Sequence, residues 1–192
     1  MPDISIGFNK RDFEYDVYTL VKAFYPGKDI YTFYTDENTH PAEVTLRLDV
    51  GMFENALYFT VSDGKNKISS SKKVLPETDR RALKNILTRM IYDVLSGYSG
   101  QTLPWGTLTG IRPTKIPMQL MEEGMRNPDI ARYMRETYYA CSKKTALAIA
   151  VANREKELLD ELKPGEGWSL YIGIPFCPSI CLYCSFGSHP FD

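Results

Sequence analysis

The stretch EVTLRLDV (residues 43–50) shows the clearest strand pattern in the chain. Apolar and polar side chains alternate along it, and a period of two places the two kinds on opposite faces of a β-strand. The apolar positions are Val44, Leu46, Leu48 and Val50, and the polar positions are Thr45, Arg47 and Asp49. We therefore expect a sheet with one face in a hydrophobic core and the other in water.

Further strand signals lie on both sides of this stretch. They are DISIGF (3–8), IYTFYT (30–35), NALYFTVS (55–62) and the polar NKISSSKKVL (66–75). The dipeptide Asp63-Gly64 favours a tight hairpin between the last two segments. The lysines and serines of the final segment are typical of an edge strand. Together these signals predict an antiparallel meander.

Two amphipathic helices are predicted beside the strands. The first is expected to open at a capping box formed by Asn9 and Asp12, and the second is expected to be capped by Thr78 and to end at Gly97. Their apolar stripes are Phe13, Val17, Leu20, Val21 and Phe24 in the first, and Leu83, Leu87, Met90 and Val94 in the second. Both stripes should cover one face of the sheet, so residues 1–98 are predicted to form an N-terminal accessory domain of α+β class with an antiparallel sheet.

Residues 99–166 are predicted to be a connector followed by a helical segment. The connector is rich in Gly, Pro and Thr, which interrupt both helical and strand periodicity. Beyond it, one helix is expected to have Asn127 as its cap and Pro128 at its first position, and the last helix is expected to open at Ser142. The side chains that we expect to pack one face of the last helix are Leu147, Val151, Leu158 and Leu162.

The composition is that of an ordinary globular protein. The chain has 192 residues, of which 43% are hydrophobic and 24% are charged. Its formal net charge of -1 gives no general attraction to nucleic acid or to an anionic membrane. The N-terminus lacks the pattern of a secretory signal, and no apolar run approaches the length of a membrane span. We therefore expect a cytoplasmic protein that binds neither nucleic acid nor membrane.

Three of the four cysteines lie close together near the C-terminus. They follow the apolar run WSLYIGIPF (168–176), which suits a strand buried on both sides, and have the spacing C-x3-C-x2-C. Thiolates at such spacing can bind an iron–sulfur cluster or zinc. Cys177, Cys181 and Cys184 would leave one iron of a four-iron cluster with open coordination positions, whereas His189 could complete a closed Cys3His zinc site. Both alternatives remain open on spacing alone.

The segment LYIGIPFCPSICLYCSF (170–186) resembles the cluster-binding stretch of the radical S-adenosylmethionine superfamily. Within that superfamily it is similar to the oxygen-independent coproporphyrinogen III oxidases, also called coproporphyrinogen dehydrogenases. The matching positions are Tyr171, Ile174, Pro175, Phe176, Cys177, Cys181, Tyr183 and Cys184. The connector LPWGTLTGIRPTKI (103–116) looks similar to the upstream part of the branch with an extra N-terminal domain.

This resemblance implies both cofactors and a reaction. The three cysteines would hold a 4Fe-4S cluster whose fourth iron chelates S-adenosyl-L-methionine, with Tyr183 against the adenine and Tyr171 near the cofactor. One-electron cleavage of the sulfonium would start the oxidative decarboxylation of coproporphyrinogen III to protoporphyrinogen IX in haem biosynthesis. The electron would come from a donor such as a flavodoxin or ferredoxin.

Two positions depart from the family pattern. Many members have a histidine where this chain has Gly173, and the best-known oxidases have a further cysteine where it has Phe186. The ending at Phe186 also occurs in relatives that resemble haem chaperones, which stay an alternative to the oxidase.

The position of the cysteines also bears on domain organisation. Only eight residues follow Cys184, whereas a parallel (β/α) barrel needs on the order of 200 residues. We therefore expect residues 167–192 to be the first strand and cluster loop of a truncated barrel, and the chain to be an N-terminal fragment that is inactive alone.

Overall fold

The computed structural model describes residues 3–36, 44–75, 77–110, 112–162, 167–168, 170–182, 184, 186–187 and 189–190. The chain divides into two compact units, Met1–Glu155 and Lys156–Asp192. The fold class is α+β, as predicted, with a five-stranded sheet and five helices among the described residues.

The sheet of the first unit is mixed. Its strands are β1 (Ile4–Phe8), β2 (Ile30–Tyr34), β3 (Leu46–Met52), β4 (Ala56–Ser62) and β5 (Lys67–Lys73), in the order β2-β1-β3-β4-β5. The meander β3-β4-β5 is antiparallel, but β1 runs parallel to both β2 and β3. The prediction of an antiparallel sheet is therefore wrong for β1. A helical crossover between β1 and β2 returns the chain to the end where β1 began, which makes these two strands parallel.

Two helices supply the other side of the core. They are α1 (Glu14–Phe24) and α2 (Arg80–Ser99). Side chains from one face of the sheet, such as Leu48 and Phe59, are fully buried in one cluster with Leu20 and Leu87 of the helices. The predicted strand alternation is confirmed for Leu46, Leu48 and Val50, whereas Val44 precedes β3 and is half-buried. Both helical stripes are confirmed, apart from Leu83, which is only partly buried.

The predicted start of α1 is wrong. The side chain of Asn9 does not cap the helix: its Nδ2 donates to the Met52 carbonyl at 3.0 Å, and its Oδ1 accepts from the Met52 N–H at 2.8 Å. Asn9 therefore links the end of β1 to the end of β3 through two hydrogen bonds. The helix begins after Phe13, whose φ of 59° lies in the left-handed region.

Three other helix ends are displaced by one to three residues. Asp79, not Thr78, caps α2 by accepting from the N–H groups of Arg81 and Ala82. The helix continues through Gly97 and ends at Gly100, which has a φ of 69°. The helix predicted to be capped by Asn127 begins at Asn127 itself, with Arg126 as its cap and the predicted proline in its first turn.

Three more helices complete the described fold. They are α3 (Lys115–Glu122), α4 (Asn127–Tyr138) and α5 (Ser142–Glu161). A second small core joins Leu120, Ile130, Met134 and Ala148. No described helix has the length and apolarity that crossing a membrane requires.

The packing face predicted for α5 is wrong. Its buried residues are Thr145, Ala148 and Ala152, whereas Leu147 is 49% exposed. The remaining members of the predicted stripe are also exposed: Val151, Leu158 and Leu162. Small side chains let a helix approach its neighbour closely, so they can form the contact face in place of the larger ones.

Candidate cysteine-rich metal centre

A pair of very short strands closes the base of the cysteine loop. These strands are β6 (Phe176–Cys177) and β7 (His189–Pro190), which pair in parallel. The His189 N–H donates to the Pro175 carbonyl at 2.7 Å, and the rings of Phe176 and His189 lie 6.4 Å apart. The two ends of the loop that carries the three cysteines thus lie side by side.

The three cysteines differ in exposure. Cys177 and Cys184 are half-buried, and Cys181 is exposed, with no disulfide at any of them. The Cys184 N–H donates to the Cys181 carbonyl at 2.9 Å, which forms a turn between these two residues. The Cys184 Sγ also lies 3.8 Å from the Phe186 carbonyl oxygen. Two of the three candidate ligands are therefore held on one local turn.

The thiols fit an iron–sulfur cluster in kind and number. Three sulfur donors on one loop with access to solvent are a suitable set for iron or zinc. The side chains are not drawn together, since no group of three or more His, Cys, Asp or Glu is placed to hold a metal in the part of the chain that the structure describes. Metal binding by Cys177, Cys181 and Cys184 stays a prediction.

The apolar run before the cysteines is not a buried strand. Residues 170–175 have no regular secondary structure, and their apolar side chains face solvent, with Ile174 78% exposed. The prediction of a strand buried on both sides is wrong for this chain, because such a strand needs neighbours to pair with and layers to cover it. Among the described residues of the second unit, β6 and β7 are the only strands.

The cofactor contacts predicted for Tyr171 and Tyr183 stay predictions. Tyr171 is 82% exposed, and its ring lies beside Gly173. Tyr183 lies outside the described residues. His189, the alternative zinc ligand, is exposed and shares the β6–β7 pair with Cys177.

The sequence interpretation missed a second group of residues with binding potential, in the first unit. Segment 103–110 is predicted to be part of a connector with no binding role for its tryptophan, but Trp105 lines a cavity with Tyr18 and Lys22 of α1. The signal available in the sequence was a tryptophan in a Gly- and Pro-containing loop, which gave no indication that α1 would be its neighbour.

Comparisons with known proteins agree with the predicted resemblance. The fold and the cysteine spacing define an α+β protein with a candidate iron–sulfur loop. No family model matches the chain. It is 32% identical over 110 residues to the oxygen-independent coproporphyrinogen-III oxidase-like protein HemZ of Bacillus subtilis (strain 168). The match covers 57% of this chain and spans about a fifth (22%) of the length of that relative.

Proposed function

We propose that this chain contributes the cluster-binding loop of an oxygen-independent coproporphyrinogen III oxidase of the radical S-adenosylmethionine type. The observation that carries the proposal is the C-x3-C-x2-C loop in a chain 32% identical over 110 residues to an oxidase-like protein. The substrate would be coproporphyrinogen III, and the protein would act in the cytoplasm with a flavodoxin or ferredoxin as its electron donor.

Each part of the loop has a role in this proposal. Cys177, Cys181 and Cys184 would hold three irons of a 4Fe-4S cluster and leave the fourth to S-adenosyl-L-methionine. When bound, the cluster and S-adenosyl-L-methionine together supply the one-electron chemistry that oxidative decarboxylation of a propionate side chain requires. Tyr171 and Tyr183 would position the bound S-adenosyl-L-methionine.

The exposed apolar side chains have a role as well. Ile172 and Ile174 would exclude water from the site once the segment is covered by further protein. The same side chains would then lie in the buried strand that the sequence pattern favours.

A second candidate is a Cys3His zinc site without catalysis. It would use His189, which lies at the base of the cysteine loop opposite Phe176 in the β6–β7 pair. Such a site would be closed by four protein ligands and would leave no position for a substrate.

Anaerobic reconstitution distinguishes the two candidates. In a longer protein that contains this chain and a complete barrel, incubation with iron and sulfide should load about four iron and four sulfide ions per chain. We also expect the paramagnetic resonance spectrum of the reduced protein to change when S-adenosyl-L-methionine is added. The triple variant C177S/C181S/C184S should bind no cluster. Cys141→Ser removes the exposed cysteine outside the loop and should bind the cluster normally.

A different set of results would support the zinc site. One zinc per chain, no acid-labile sulfide, and loss of the zinc in His189→Gln would contradict the cluster and establish the closed site.

A further inference from the structure

A cavity of about 450 Å³ lies between α1 and segment 103–110 in the first unit. Its apolar walls include Tyr18, Leu103, Trp105 and Leu108. The volume is within the range of pockets that bind small molecules, and such pockets combine aromatic walls with a few polar groups. The cavity is open to solvent on one side, and its apolar lining can hold one face of a ligand ring.

The wall formed by segment 103–110 is fixed in place. The Leu103 N–H donates to the Tyr92 hydroxyl at 3.1 Å, and the Thr107 N–H donates to the Tyr138 carbonyl at 2.8 Å. On the side of α1, the hydroxyls of Thr19 and Thr109 share a hydrogen bond of 3.0 Å. A wall held at both ends loses little freedom when a ligand binds, which favours affinity.

The charged groups at the cavity are positive. Lys22 lines it, and the Lys144 Nζ lies 5.4 Å from the centre of the Trp105 ring. The Lys22 ammonium donates to the Lys28 carbonyl, but an ammonium has three donors and so can also bind an anion. Within the described residues, no carboxylate lines the cavity. A ligand with a carboxylate would thus be favoured over a neutral or cationic one.

We propose that this cavity binds a flat aromatic ring system that carries carboxylates. Its ring would lie against Trp105 and Tyr18, and a carboxylate would bind Lys22 through charge-assisted hydrogen bonds. The assignment of this ligand as a tetrapyrrole with propionate side chains rests on the proposed function. The ligand that fits this description is the planar, oxidised porphyrin, because porphyrinogens have sp3 bridges between their pyrrole rings and are not flat. The first unit would then hold a porphyrin with propionate side chains at a site of its own.

Fluorescence of Trp105 tests the proposal. The chain has two tryptophans, so Trp168→Phe leaves Trp105 as the sole indole. We expect coproporphyrin III, an air-stable oxidised form of the substrate, to quench this emission saturably at micromolar concentration. In the same background, Lys22→Glu should weaken binding at least tenfold. Ala23→Phe should abolish binding, because Ala23 is an exposed lining residue whose enlargement fills the cavity without removing a contact.

A matched control and a separate readout keep the result interpretable. Lys67→Glu makes the same charge change on the exposed edge strand β5 and should alter the affinity less than twofold. Circular dichroism and thermal melting establish that each variant is folded. Quenching that is not saturable, or that survives Ala23→Phe unchanged, would overturn the proposal.

The cysteine variant separates this site from the proposed function. C177S/C181S/C184S should lose the cluster and still bind coproporphyrin III at the cavity. Loss of porphyrin binding in this variant would place the ligand at the thiols and overturn the cavity site. Retention of binding in a chain that takes up zinc instead of a cluster would refute the oxidase proposal alone.

Discussion

Gly106 occupies a position where no other residue fits without rearrangement. Its φ of 60° is in the left-handed region, and a Cβ placed on it would lie 1.9 Å from the Tyr138 carbonyl oxygen. This close approach lets the neighbouring Thr107 N–H donate to the same carbonyl. The wall of the cavity is thus hydrogen-bonded to the end of α4 through Thr107, directly beside Gly106.

Substitution of this glycine should be costly. We expect Gly106→Ala to lower the free energy of unfolding by about 3 kcal/mol, because the methyl group forces both a backbone shift and an unfavourable φ. Chemical denaturation measures the change. Gly97→Ala is the control: its Cβ would meet nothing within 4 Å, and alanine inside α2 should stabilise the protein by about 0.5–1 kcal/mol. Equal effects of the two substitutions would contradict the close approach at Gly106.

A hydrogen bond between Tyr98 and Asp63 should be visible in the ionisation of the tyrosine. The Tyr98 hydroxyl donates to Asp63 Oδ2 at 2.7 Å, and this bond is the main reason that the pKa of Tyr98 is raised from 10.0 to about 12. Since the raised pKa favours the protonated form in the folded state, this bond stabilises the fold below pH 10. The stabilisation is lost as the pH rises towards 12.

NMR of isotope-labelled tyrosine measures the pKa of Tyr98. Asp63→Asn should return the pKa of Tyr98 towards 10, whereas Asp36→Asn, which removes another exposed carboxylate, should leave it raised. A Tyr98 pKa that does not respond to Asp63→Asn would show that the bond is absent in solution. Tyr98→Phe assigns the signal.

At the scale of elements, α5 shows how side-chain size can override hydrophobicity. The sequence predicted correctly that the helix begins at Ser142, because a serine before a periodic apolar pattern is a local signal. Its packing face is decided instead by the surface it meets. Ala148 and Ala152 are fully buried there, and the larger Leu147 next to them is half exposed.

Two adjacent substitutions on α5 test this assignment. Leu147→Gln should change the free energy of unfolding by less than about 0.5 kcal/mol, since its side chain is already in solvent. Ala148→Leu should destabilise by about 1–3 kcal/mol, because the added atoms overfill a packed contact. Thermal or urea unfolding of the two variants gives both values. If Leu147→Gln were the more damaging change, the face predicted from the sequence would be the right one.

At the scale of the whole molecule, the sequence predicted the α+β class and most strands but not how the first three pair. Alternation in 43–50 and the apolar stripes of α1 and α2 are local, so they could be read directly. The parallel pairing of β1 with β3 depends on contacts between residues as distant as Ile4 and Leu46, for which the chain gives no local signal.

The candidate site also has one part that the sequence predicts and another that it does not. The spacing of Cys177, Cys181 and Cys184 predicts a set of metal ligands, because donor chemistry is a property of the residues themselves. Whether the thiols converge depends on what surrounds the loop, and none of the described residues covers the run 170–175. Trp105 could not be assigned to a cavity for a similar reason, since its partners lie on α1.

The central place of β1 has a consequence for synthesis on the ribosome. β1 (Ile4–Phe8) is made before both of the strands that fill its edges, with Ile4 opposite Ile30 on one side and Leu46 on the other. Until β3 has emerged, a nascent chain carries an apolar strand with an open edge, the arrangement most prone to non-native association. We therefore expect translational pausing between β1 and β3 to favour aggregation, and a chaperone bound to β1 to prevent it.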